Sequence, residues 1–194
     1  MRARLAIASA GLTVELREIL LRDKAPDFLT TSPKGTVPVM VADEVIEESR
    51  NIMHWALGRS DPERLLPDMT ENATALIAEC DGSFKIALDH TKYAVRYPDI
   101  DAAESRATAA SFITKLDAQL DTKRWLYGDS PSFADLAILP FVRQFAHTDL
   151  DWWDRQSFTH AHSWLAAFKS SARFTSIMKK YPPWKSGQDR VLFP

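Results

Sequence analysis

The residues best placed to do chemistry lie between Lys34 and Asn51, in the stretch KGTVPVMVADEVIEESRN. Val37 to Val41 is short, apolar and β-branched, with Pro38 set inside it. A proline cannot donate to a β-ladder, so it marks an edge, a bulge or a cis bond at the start of the strand. Ala42-Asp43-Glu44 reads as a tight polar turn and Val45-Ile46 as the returning strand, which makes a compact β-hairpin. Glu47, Glu48 and Ser49 then precede Ile52, Met53, Ala56 and Leu57, spaced as the inner face of a helix. Ser49 stands where an N-cap is expected. Backbone N–H groups at a helix start attract a carboxylate. The pattern suits a peptide-like ligand that carries a carboxylate, and it also suits an ordinary hairpin followed by a capped helix.

The other reactive side chains are weaker candidates. Cys80 is the only thiol and sits mid-helix among Leu76, Ile77 and Phe84. A cysteine there behaves as a small buried hydrophobe with a raised, unreactive pKa. His160 and His162 are two residues apart, so on a helix they point in different directions. Neither has acids or thiols at metal-ligand spacing, and no metal site is expected. His90 and His147 read as lone helical histidines, and Trp152-Trp153 reads as pocket or interface, with the sequence not deciding between them.

Composition narrows the class. A chain of 194 residues can bury a substantial core as one large domain or two small ones. At 45% hydrophobic and 26% charged residues it has a globular balance. A net charge of −2 argues against a nucleic-acid surface working by bulk electrostatics. A single cysteine rules out an internal disulfide framework and fits a reducing compartment. No apolar run approaches the ~20 residues of a membrane span, and no signal-peptide pattern opens the chain. The expected setting is the cytoplasm, with no membrane and no nucleic-acid partner.

Two kinds of element must position the stretch. Residues 1–10 have helical spacing, and Gly11 suits the left-handed position after a helix. From Thr13 to Leu20 the pattern alternates as a strand, and Pro26 and Phe28 open a short helix. Gly58 to Pro67 is charged, holds two prolines and reads as a linker. Beyond it only helical periods are found: a long helix up to Tyr97-Pro98 that breaks near Gly82, a helix over 102–120, and others over 157–169 and 172–181. Ser132 and Asp135 form a capping box ahead of Leu136, Ile138 and Leu139, and Pro140 is expected to kink that helix. Trp184, Leu192 and Phe193 in the tail suggest that it packs back onto the protein.

The stretch from Lys34 to Ser49 resembles the second half of the thioredoxin-like domain of glutathione S-transferases, and the likeness extends over the whole chain. The resemblance implies an α/β plus all-α protein: an incomplete thioredoxin-like domain at 1–57, a linker at 58–67 and an all-helical domain at 68–194. It implies that the Val37–Pro38 peptide is cis and offers backbone hydrogen bonds to the cysteinyl part of glutathione. Glu48 and Ser49 would hold the γ-glutamyl end, and Lys34 would reach the glycyl side. Glutathione is then the substrate or co-substrate, with an electrophile or a disulfide as second partner. Glutathione conjugation or glutathione-dependent thiol exchange is implied for a full-length relative; a non-catalytic interaction module is the alternative. A homodimer is implied too, with the first unit meeting the helices of 71–121 in the other copy. Tyr93 and Tyr97 could line a second-substrate pocket, or simply pack.

The match is nearest to omega-like members of the family, where MRARLAIASA resembles the helix that follows a Cys-Pro motif. The strand and catalytic loop expected before that helix do not occur in this sequence, so no catalytic residue is assigned. Arg2 and Arg4 would flank such a loop and lower the pKa of a thiol there, or stand as solvated surface charges. The expectation is that Met1 is an internal methionine, preceded in frame by a strand of the usual ~5–6 residues and a Cys-Pro or Ser-Pro pair. The chain as given is expected to be weakly active at most. Another segment filling the strand's place is the other possibility.

Overall fold

The structure, a computed structural model, describes residues 1–194. Its first unit comprises Met1–Glu63 with Ser171–Pro194, and its second comprises Arg64–Ser170. Ser171 to Pro194 therefore belongs with the first unit and not with the helical one, which differs from the expected 68–194 grouping.

The first unit begins with helix α1 (Arg2–Ser9), whose buried residues include Leu5, Ala6 and Ile7. Gly11 ends it at φ +65°, a conformation glycine adopts without a Cβ penalty. The Gly11 N–H donates to Ala8 (3.1 Å) and the Leu12 N–H to Ile7 (3.2 Å), which is a Schellman closure. Strand β1 (Val14–Glu15) follows and is much shorter than the alternating run 13–20 suggested. Helix α2 (Pro26–Thr31) starts on proline, whose missing N–H costs nothing at a first-turn position. Strands β2 (Met40–Val41) and β3 (Val45–Ile46) form the hairpin, with Met40 opposite Ile46 and Val41 opposite Val45. The expected strand over 37–41 is thus confined to its last two residues. Pro38, which cannot donate a ladder hydrogen bond, lies in the irregular part. Helix α3 (Ser49–Arg59) packs against α1 through Ile52, Met53, Ala56 and Leu57.

The second unit is helical: α4 (Glu71–Glu79), α5 (Lys85–Lys92), α6 (Ala102–Gln119), α7 (Phe133–Ala146), α8 (Leu150–Asp154) and α9 (Thr159–Lys169). Between α4 and α5 the chain makes a π-helical turn at Cys80–Phe84, the break expected at Gly82. Phe84 sits at the centre of the core, 4.7 Å from the Phe112 ring and 5.8 Å edge-on from Phe145. Helix α7 is buried along most of its length and runs unbroken through Pro140. Its start is fixed by Asp135, which is 0% exposed and accepts four hydrogen bonds. Oδ2 receives the Ser132 N–H (2.8 Å) and hydroxyl (2.6 Å); Oδ1 receives the Leu126 N–H (3.0 Å) and the Trp164 indole (2.8 Å). One carboxylate thus ties the helix start to the 125–128 turn and to α9. Asp117 of α6 caps α9 from outside by accepting the N–H groups of His160 and Ala161, both at 2.8 Å.

The remaining chain returns to the first unit. Helix α10 (Ala172–Ile177) packs on α1, and β4 (Leu192–Phe193) pairs antiparallel with β1. The expected helix over 172–181 ends early, and a strand occurs where only helices were expected. Phe193 supplies the reason: at 1% exposure it is among the most buried side chains of the protein. No helix is long and apolar enough to cross a membrane.

Candidate functional site

The site is built from the turn after α2, the approach to the β2–β3 hairpin and the start of α3. Ser32 ends α2 in an extended conformation and is fully buried. Its hydroxyl donates to Glu47 Oε1 at 2.6 Å, and Lys34 Nζ meets Glu47 Oε2 at 2.9 Å. Glu47 therefore bridges the turn at 32–35 to the strand end before α3. The hydrogen bond from Ser32, reinforced by Lys34, holds the Glu47 carboxyl below its ordinary value of 4.5. The hydrogen bond to Glu47 in turn raises Lys34. Gly35, at φ +63°, lets the turn close, and a Cβ there would meet the Leu29 side chain at 3.3 Å.

Each residue singled out by sequence has a definite place. Lys34 is exposed but engaged by Glu47, with Glu48 near enough to add to its stabilisation. Val37 is 46% exposed, which is high for a β-branched apolar residue, and the Val37–Pro38 peptide is cis. Glu48 is exposed, and Ser49 is half-buried. Helix α3 begins on Ser49, so Glu48, not Ser49, is the N-cap residue. Glu48 has φ +63° and ψ +123° and makes no side-chain cap. Such a backbone is sparsely populated by residues with a Cβ and is typical of functional turns. The N–H groups of the first turn of α3 have no acceptor within the helix, and they add their partial positive charge to this corner.

Sequence reasoning missed Ser32 and Glu47. The signal for Glu47 was available in the hairpin register: Met40 pairs with Ile46, which folds residue 47 back along the approach strand. The remaining candidates have the following surroundings. Cys80 is buried within the π-helical turn, as its apolar neighbours suggested. Tyr93 lies under the cationic groups of Lys92 and Arg96, and the Tyr97 ring is tilted against His90 with ring centres 4.5 Å apart. His160 pairs with Asp121 at 3.2 Å, and His162 Nε2 lies 3.0 Å from the Trp153 carbonyl. Trp153 is buried, with its ring 5.5 Å from Phe158. Arg2 is buried in α1, and Arg4 ion-pairs with Glu18, so neither is a solvated surface charge.

A unit with a small sheet and a cis Val-Pro corner, followed in the sequence by a helical unit, defines the class of protein. Comparison with known proteins then names the family. The glutathione S-transferase N-terminal domain matches residues 1–57, and the glutathione S-transferase C-terminal domain matches residues 99–185. The chain belongs to the glutathione S-transferase family. Glutathione S-transferase GST-4.5 of Xanthomonas campestris pv. campestris is 27% identical over 135 residues, covering 64% of this chain and 66% of that protein. FtsZ-localized protein A of Caulobacter vibrioides is also 27% identical, covering 91% of this chain and 85% of that protein. Among solved structures, poplar glutathione transferase F1 superposes with a TM-score of 0.75 at 17% identity, covering 91% of this chain and 90% of that one. That similarity establishes the fold: a small-sheet first domain followed by a helical one.

Proposed function

We propose that the protein binds glutathione at the corner formed by Lys34, Val37, Pro38, Glu48 and Ser49. The bound thiol would serve for conjugation to an electrophile or for exchange with a disulfide. The observation that carries this reading is the charge arrangement around the start of α3, inside the region matched by the family's N-terminal domain. A tripeptide with a free amino group and two carboxylates needs both signs of charge within a short span. Here the ammonium of Lys34, the carboxylate of Glu48 and the positive end of a helix occur together. The backbone next to exposed Val37 supplies the edge along which a peptide-like ligand can lie.

A thiol becomes reactive as its thiolate, and a thiolate is favoured by nearby positive charge or hydrogen-bond donors. The corner supplies binding and orientation; no catalytic residue is assigned. Cytoplasmic action and homodimer formation are part of the same proposal. Calorimetry with glutathione on the wild type and on Ser49→Ala tests the site. Loss of affinity on removing the hydroxyl is expected, and equal affinity removes Ser49 from it.

The second reading, a non-catalytic interaction module, is favoured by one observation. A relative that covers 91% of this chain, FtsZ-localized protein A, carries a localisation in its name and not a reaction. Glutathione turnover with an electrophile and with a mixed disulfide, measured beside partner capture, separates the two. Capture by a chain that neither binds nor turns over glutathione supports the module.

A further inference from the structure

The segment from Trp184 to Phe193 runs along residues 14–18 and supplies β1 with its ladder partner. The Trp184 N–H donates to the Glu18 carbonyl (2.8 Å), and its ring lies 4.7 Å from the Arg17 guanidinium. The Leu16 N–H donates to the Val191 carbonyl at 2.7 Å. Val14 then stands opposite Phe193, and Glu15 opposite Leu192. Phe193 is buried, with the Arg4 guanidinium 5.8 Å from its ring, while Leu192 on the other face is 58% exposed. Arg190 adds an exposed ion pair to Glu15 at 3.6 Å. The edge of β1 with α1 beneath it is therefore a groove that takes an extended strand carrying one buried aromatic ring.

We infer that this groove is a strand-addition site with an exchangeable occupant, and that a second copy of the chain fills it reciprocally with its own residues 184–193. Three features carry the inference. The hold is local: a two-residue ladder, two flanking backbone hydrogen bonds and one buried ring, with no helix between Met178 and Val191. Release therefore undoes the β1–β4 ladder and leaves every helix of the unit in place, so the segment belongs to the low-stability end of the fold. The tether is already extended. Pro182 and Pro183 fix their own φ angles and disfavour a helical conformation in the residue before each. Chain that is stiff and extended loses little by reaching outward. Lastly, an edge bared by release presents unpaired N–H and C=O groups. A second copy offers the one strand whose register, ring and charges already match it.

The exchange is read from a cross-link. Leu16 and Val191 occupy a hydrogen-bonded position, so Glu15 and Leu192 form the adjacent non-hydrogen-bonded pair. Their Cα atoms in such a pair are about 4.5 Å apart, within disulfide range. Both side chains are exposed, and Cys80 is buried, so a Glu15→Cys/Leu192→Cys chain keeps its core and has no competing accessible thiol. Light and isotopically heavy chains of this variant are mixed and oxidised in a thiol–disulfide buffer, and 15–192 cross-links are counted by mass spectrometry. Cross-links joining a light to a heavy chain are expected, and their ratio to intrachain ones should rise about tenfold for a tenfold rise in concentration below saturation. Adding Phe193→Ala should abolish both kinds. Intrachain cross-links alone at every concentration overturn the exchange, and so does the absence of any 15–192 link. A dimer formed through another face leaves the light–heavy 15–192 link at zero, which separates the two.

Discussion

Asp135→Asn isolates the junction that organises the helical unit. An asparagine has one carbonyl oxygen and one amide nitrogen in place of two equivalent acceptors. Turned so that its oxygen keeps the Leu126 N–H and the Trp164 indole, it presents an amide to the Ser132 N–H and hydroxyl. The hydroxyl can rotate and accept; the backbone N–H cannot. The loss is one charge-assisted bond plus one buried donor left without an acceptor, about 1.5–3 and 1–3 kcal/mol respectively. Burial pushes the Asp135 carboxyl above its ordinary value, against the pull of its four donors. Removing the charge therefore returns part of the cost, and the net expectation is about 2–3 kcal/mol. Ser132→Ala keeps the carboxylate and its backbone bonds and should cost less, about 1 kcal/mol for a lost cap. Urea unfolding followed by tryptophan fluorescence and by far-ultraviolet circular dichroism gives both values where the two transitions coincide. A cost below ~0.5 kcal/mol for Asp135→Asn, the range of an ordinary surface change, would refute this account of the helix start. So would Ser132→Ala proving the costlier of the two.

Three further outcomes are expected. Ser32→Ala should shift the Glu47 carboxyl titration upward toward 4.5, seen by carbon-detected nuclear magnetic resonance, because its hydrogen bond is the chief cause of the depression. With the folded value below the unfolded one, the stability Glu47 contributes is complete above 4.5 and disappears as pH falls through the folded value; an unmoved titration contradicts the bridge. Glu48→Gly should relieve the positive-φ backbone and raise the melting temperature by roughly 2–4 °C, equivalent to about 1 kcal/mol, while weakening glutathione binding; a fall in melting temperature counts against strain at that residue. Cys80 should resist an aromatic disulfide reagent in the folded protein and react fully once unfolded, so rapid labelling of the native chain would place its thiol elsewhere than in the core.

Sequence was most legible where a local rule had no competitor. Gly11 after a helical period and Ser132 followed by Asp135 are chemical signatures, and both appear as expected. Gly82 marked the helix break because no side chain there favours regular winding, and a π-turn occupies it. At Pro140 the helical assignment of α7 continues despite the missing hydrogen bond, in a helix buried nearly all round, where tertiary packing outweighs propensity. The pairing of β4 with β1 was illegible because a two-residue strand has almost no periodicity. Its partner lies 179 residues away by the Val14–Phe193 register. At the candidate site the residue types were readable, but the division of labour between neighbouring acids was not. It depends on one backbone angle.

That angle accounts for how Glu47 and Glu48 differ. Consecutive residues in an extended strand point to opposite faces, so alternation alone would separate the two carboxylates without fixing where either goes. Glu47 closes on Ser32 and Lys34, which ties it into the scaffold. At Glu48 the chain turns through φ +63° directly into α3, so its side chain stands exposed at the helix start without capping it. A capping carboxylate would occupy the first-turn N–H groups and cancel their charge. Because neither acid does so, that end of α3 keeps its positive character beside a lysine fixed by Glu47. On the proposed reading this is what a ligand with carboxylates at both ends and one ammonium requires: donors left open for an anion, and an acid left over for the cation. The cost is a residue with a Cβ in a conformation suited to glycine, about 1–3 kcal/mol, which a scaffold gains nothing from unless the acid at that position has work to do.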